Sequence, residues 1–192
     1  VTAAAAPADA LVGDPFTRAE IEAALRRVHA DVEAAFGTVD AGRMGQRPVP
    51  DRWSPAEHLA HLVLAVTPVA RALRLPKLLP RLLFGAGDGP SRRYAEVRDT
   101  YRGLLAAGAK STRAYLPRVE DDGHAGALRD RLLASWRAAG ERLLSALAGW
   151  DEASLDRIRL PHPILGKLTV REMLFFTLYH DLHHAAALRA TE

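Results

Sequence analysis

The chain contains no cysteine among its 192 residues. Disulfides, thiolate zinc sites and a cysteine nucleophile are thereby excluded, and thiol chemistry would need a thiol from outside the chain. Aromatic residues are sparse at 6%, although 48% of the chain is hydrophobic, so Leu, Ala and Val must do most of the packing. The length suggests one domain. A charge excess of one sign is also lacking: 26 Lys and Arg stand against 23 Asp and Glu, for a net charge of +3. The two signs are interspersed, as in Arg129-Asp130-Arg131. Nucleic-acid-binding proteins usually gather basic charge on one face, so no nucleic-acid partner is expected. No stretch approaches 18 uninterrupted apolar residues, so neither a membrane span nor a membrane partner is expected. Val1-Thr2-Ala3-Ala4 opens no basic segment and no long apolar run, which predicts no signal peptide and a cytoplasmic location. A Gly-rich phosphate loop of Walker or Rossmann type is missing too.

What is present is the punctuation of helices. Residues 1–15 are rich in Ala, Pro and Gly and read as a flexible tail; residues 16–190 read as one domain. Thr17-Arg18-Ala19-Glu20 has the form of a capping box, followed by an apolar stripe of Ile21, Leu25, Val28, Val32 and Phe36. Ser54-Pro55-Ala56-Glu57 is a second box with proline at the first helical position, and Pro76 should end its helix. Tyr94, Val97, Tyr101 and Leu104 suggest a helix over about 91–107. A long helix then carries Leu128, Leu132, Trp136, Leu143 and Leu147 past Gly140. Gly140 costs about 1 kcal/mol there relative to Ala, which suggests close packing. Thr169-Val170-Arg171-Glu172 is a third box and opens the last helix. Nothing alternates convincingly with period 2. Four principal helices of about 20 residues, with a long second-to-third connection, predict an all-α four-helix bundle.

Histidines carry the chemistry. His180 and His184 are four residues apart and share a helical face with Met173, Thr177 and Leu188, which directs that face inward. Two imidazoles so placed can share a metal ion, and a third on a neighbouring helix would complete a site with open positions. His61 and His58, behind the second capping box, compete for that third place; His183 competes with His184. Spacing alone does not choose. His183 could also act as a donor behind the ligands. Glu57, four residues before His61, could orient its ring, although its place in the capping box favours the capping role. Three neutral imidazoles suit zinc and would also accept nickel, cobalt or iron. Such an ion acidifies bound water or stabilises a thiolate. Asp181 should point about 100° away from His180. His29 reads as a boundary residue, His162 as a rigid rim residue and His124 as a solvated one, while Trp53 stands where a hydrophobic staple would pack.

Two segments resemble a known family. Trp53-Ser54-Pro55-Ala56-Glu57-His58-Leu59-Ala60-His61-Leu62 resembles the start of the second helix of the DinB-like superfamily, the YfiT and BstA type of metal-dependent enzymes. Pro161 through Glu172 resembles the approach to that family's last helix, and His180-Asp181-Leu182-His183-His184 resembles its terminal histidine signature. The resemblance implies an up-up-down-down bundle, often dimeric, with His61, His180 and His184 as ligands of a divalent metal such as zinc or nickel. It further implies a small-molecule substrate and a transferase using a low-molecular-weight thiol, or a hydrolase using metal-activated water. A non-catalytic, stress-linked binding or dimerisation module with a vestigial or structural metal site is the alternative. One departure favours that alternative: family members often carry Gln three residues after the final histidine, where this chain has Ala187.

Overall fold

All three capping boxes form, and each starts a helix of the bundle. In a computed structural model that describes residues 10–87, 89–110, 112–119 and 125–190, Thr17, Ser54 and Thr169 each accept a bond from the backbone three residues on. In each box the glutamate at that position accepts in return from the cap's own N–H. The helices they open are α1 (Arg18–Gly37), α2 (Pro55–Leu73) and the last one, Val170–Arg189. Between them lie α3 (Leu78–Phe84), α4 (Tyr94–Ala106), α5 (Ala125–Leu147) and α6 (Glu152–Arg157), so the last helix is α7. Pro68 sits inside α2 without ending it. His124 and residues 1–9 of the expected tail lie outside the described residues. From Ala10 onward the chain is placed: Val12 is buried, and the Leu11 carbonyl accepts from Arg27.

A short antiparallel hairpin interrupts the all-helical pattern. Strands β1 (Arg159–His162) and β2 (Gly166–Thr169) pair from Arg159 with Thr169 to His162 with Gly166. Each strand has four residues, too few to display an alternation, and Pro161 obscured the first. Gly166 leaves the turn at φ +74°, a conformation that costs a side chain more than glycine.

The principal packing is α2 on α5, α1 on α7, α1 on α5 and α2 on α7, so α1 faces α2 across the diagonal. End contacts give the directions. Arg171 binds the Phe16 carbonyl at one end and Arg189 pairs with Asp31 nearer the other, so α1 and α7 are parallel. Glu33 pairs with Arg137 and the Val39 carbonyl accepts from Arg129, so α5 runs against α1. His58 meets His184 and His61 meets His180, so α2 runs against α7. The order is therefore up-down-down-up, which corrects the up-up-down-down order that the resemblance implied. The long α2–α5 connection explains it. Its helix α4 climbs along α7, from Arg92 at Glu172 to Tyr101 beside Phe176 and His180, and returns the chain to the end where α2 began. The core is one cluster in which Trp136, Phe36, Phe175, Leu59 and Leu143 are fully buried.

Candidate metal centre

The start of α2 and the end of α7 bring His61, His180 and His184 together. All three are buried, and each offers one ring nitrogen such that these atoms lie within 4.8 Å of one another. Antiparallel packing makes this possible: one turn along α7 separates His180 from His184, and α2 delivers His61 opposite them. Met173, Thr177 and Leu188, which share that face of α7, are buried as the stripe predicts.

Two of the three ligand candidates have their rings fixed by a hydrogen bond on the other nitrogen. His61 Nδ1 lies 2.7 Å from the Tyr115 carbonyl and so donates, which turns Nε2 toward His180 Nε2 at 3.1 Å. Two nitrogens that far apart subtend about 100° at an ion placed ~2.05 Å from each, as zinc–imidazole bonds require. His184 Nδ1 is 2.8 Å from His58 Nδ1, so one of that pair donates to the other. Thus His58 sits behind the centre and holds His184, while His61 occupies the place for which the two competed. Trp53 forms a wall rather than a simple staple. Its ring stacks on His184 at 5.9 Å and 9° and approaches His61 at 4.8 Å. Burial lowers the imidazole pKa of His61, and that of His180 and His184 well below the ordinary value, with neighbouring histidines adding to the shift in the latter two. Neutral imidazoles are the form that binds a metal.

Glu57 takes the capping role that the sequence favoured, and His183 points away from the ligands. The Glu57 carboxylate binds the Arg47 guanidinium and the Ser54 N–H, so it serves the cap and not His61. His183 is exposed and reaches the centre only as a ring 5.4 Å from His184.

Two residues read as bland belong to the centre's surroundings. Asp181 is wholly buried, yet neither carboxylate oxygen has a hydrogen-bond partner. It lies 3.9 Å from His180 Nδ1 and 3.7 Å from His29 Nε2, which also lacks a bond. Burial pushes the Asp181 carboxyl well above its usual range and the His29 imidazole down to about 4. His29 is held there by stacking on Trp136 at 4.2 Å. Gly140 makes room for it: a Cβ at that position would fall 2.4 Å from His29 Nδ1. The 100° step from His180 to Asp181 was sound as geometry, but the sequence did not show that the other direction is also interior. The donor set fits a divalent ion: three neutral nitrogens converge, and an orphaned carboxyl lies behind one of them.

His61 and His180 also line a cavity of about 430 Å³. Its walls are mostly apolar, with Val69 and Ala72 from α2, Met173 and Phe176 from α7, and His162 at the rim. As a rim residue His162 is where the sequence put it; its Nδ1 accepts from the N–H groups of Ile164 and Leu165, at 3.2 and 2.9 Å.

Comparison with known proteins agrees with this architecture. A four-helix bundle protein of known crystal structure, TT2238, superposes with a TM-score of 0.53 over 91% of this chain and 99% of its own, at 21% identity. That likeness concerns the fold. No curated protein matches. The family model described as the DinB superfamily matches residues 24–188, a span that holds most of α1 and α7, all of α2 and α5 and the three clustered histidines, and the chain belongs to that superfamily.

Proposed function

We propose that the protein is a metal-dependent enzyme in which His61, His180 and His184 hold one divalent ion, zinc or nickel, facing a substrate cavity. The observation that carries this reading is that His61 and His180 belong both to the ligand cluster and to the cavity wall. A purely structural site would be sealed by packed side chains. When bound, the ion would make hydroxide available from water near neutral pH or stabilise a thiolate, which suits a hydrolase or a thiol-dependent transferase. The chain's own residues do the positioning. Tyr115 fixes the His61 ring through its carbonyl, His58 fixes His184, and Trp53 covers the histidines on one side. No cysteine competes for the ion or acts as nucleophile. The substrate on this reading is a small molecule, and the protein is a cytoplasmic homodimer without a nucleic-acid partner. No helix of the described residues is long and apolar enough to cross a membrane.

Elemental analysis of protein purified without a histidine tag tests the centre. About one divalent ion per chain is expected, with loss of most of it in His180→Ala. Full metal content in a folded His180→Ala protein would overturn the ligand assignment. Sedimentation velocity reads the oligomeric state in the same sample.

A further inference from the structure

The cavity beside the histidines has a direction, an apolar body and a charge, and together these name a class of ligand. The inference rests on the reading above, since it takes the cavity to hold what the centre acts on. Along α2 the wall runs from His61 through Ala65, Pro68 and Val69 to Ala72, and Leu75 continues it just past the helix end. At 1.5 Å per residue the helical part alone is about 17 Å. A volume of 430 Å³ is at the small end of ordinary ligand pockets, so over this length the space is a slot and not a bowl. One end is deep, because His61 and His180 are each 4% exposed; the other is open, because Leu75 is 39% exposed and Arg71 is an exposed residue.

Charge is equally lopsided. Among the described residues the lining includes no Asp or Glu, and Arg71 is its one permanently charged side chain. From His58 to Gly87 the sequence has no acidic residue at all. Lys77 nearby is paired with Asp151, at 2.7 Å, whereas Arg71 has no ion-pair partner among the described residues. A cation would be repelled at both ends of the slot, by Arg71 and by a divalent ion. A peptide-like thiol would bury amides against walls with few polar groups, and unmet amides are costly to bury.

We propose that the slot binds an elongated, slender apolar molecule that carries one carboxylate at its outer end. The carboxylate pairs with Arg71 at the mouth, the hydrocarbon body lies against Val69, Ala72, Met173 and Phe176, and the reacting group reaches the histidines. In a thiol-dependent reaction this molecule is the acceptor, and the thiol approaches from elsewhere.

Saturated carboxylates of increasing length, from butanoate to dodecanoate, are titrated calorimetrically into chelator-treated, metal-free protein. Affinity should rise roughly fourfold per added methylene, the equivalent of ~0.8 kcal/mol, until the slot is full. Dodecylamine should bind at least about tenfold more weakly than dodecanoate. Arg71→Gln, an exposed change that leaves the fold intact, should remove that preference and leave dodecanol binding unchanged. Ala72→Trp should block all long chains, with its melting temperature read alongside. Affinity that does not depend on chain length, an amine that binds as well as the acid, or dodecanoate binding untouched by Ala72→Trp would each overturn the proposal. So would dodecanoate that binds only after zinc is added and ignores Arg71→Gln, because the carboxylate would then sit on the ion. Because the titration uses metal-free protein, its outcome is separate from the metal content that tests the centre.

Discussion

Helix α7 buries two groups of polar side chains, and their bookkeeping differs. At its start Arg171, 1% exposed, donates to Asp156 at 2.6 Å, to Glu152 at 2.9 Å and to the Phe16 carbonyl. Its neighbour Glu172 accepts from the backbone and side chain of Arg92, at 3.0 and 2.9 Å, and from Thr169. Three turns on, Asp181 is equally buried and makes no hydrogen bond, with His29 and His180 standing just beyond reach. Native proteins satisfy nearly all buried polar groups, so an exception calls for an explanation other than stability. The first group clamps α1, α6 and the hairpin to α7 and is structural. The second lies behind a histidine cluster that opens on a cavity. Complete pairing marks the one; incomplete pairing marks the other.

The largest effect on folding should come from the paired group. Arg171→Leu removes the shared cation from Asp156, which keeps its bond from Ser91, and from the half-exposed Glu152, and should destabilise the protein by about 2–4 kcal/mol. Urea unfolding measures this. Zinc content per folded chain should stay unchanged, because the substitution lies far along α7 from His180. A loss below about 1 kcal/mol would mean that Arg171 is dispensable and the contrast false.

The difference between the two groups also explains what could be read without coordinates. The capping boxes at Thr17, Ser54 and Thr169 are local chemistry, so helix starts were legible to within a residue. The inward stripe of Met173, Thr177, His180, His184 and Leu188 is local periodicity, and it located two of the clustered histidines. His61 over His58 came from family resemblance, because both rings lie near the same helix face and only the Tyr115 carbonyl and His180 distinguish them. Helix directions were not legible. They depend on α4 carrying the chain back along α7, which is a tertiary fact. Asp181 and His29 escaped for a related reason: α7 is buried around most of its circumference, from Glu172 through Phe175 to Leu182, so no polar face existed to which Asp181 could be assigned. Gly140 did carry a signal, since a glycine inside a long helix implied a close neighbour, but the identity of that neighbour, His29, required the fold.

An intermediate effect is expected from His162, which is half-buried and shares the hydrogen-bond satisfaction of the first group. Its Nδ1 accepts two backbone N–H bonds, and burial brings its pKa down to about 4 from an ordinary 6.5. Above about pH 6.5 the ring is neutral in both folded and unfolded chains, and its contribution is present in full. As pH falls toward 4 the unfolded chain takes a proton that the folded chain refuses, so stability declines across that window. Allowing for partial exposure, the loss between about pH 7.5 and 5 should be roughly 1–2 kcal/mol from this residue. Urea unfolding of metal-free protein at the two pH values, compared with His162→Asn, isolates it. Asn keeps an acceptor near the two N–H groups without the titration, so the variant should lose less stability on acidification. An identical pH slope in the two proteins would remove His162 from the account.

The smallest effect on folding should come from Asp181, the group that is paired least. Asp181→Leu removes a buried carboxyl that has no hydrogen bond to lose, and an apolar replacement of similar shape should change stability by less than about 1 kcal/mol in either direction. Metal affinity should behave differently. If the carboxyl orients the His180 ring from behind, its removal should weaken zinc binding by about 10–100-fold, the usual consequence of losing a group that supports a metal-bound histidine. Asp181→Asn keeps an acceptor toward His180 Nδ1 and should lose less. Competition titration against a chelator of known affinity gives both numbers on folded protein. Unchanged zinc affinity in Asp181→Leu, together with a large loss of stability, would reverse the comparison: the carboxyl would then be structural after all. The predicted split, near-neutral folding with weakened metal binding, is one that Arg171 cannot reproduce, because its hydrogen bonds are spent on holding the helix ends together.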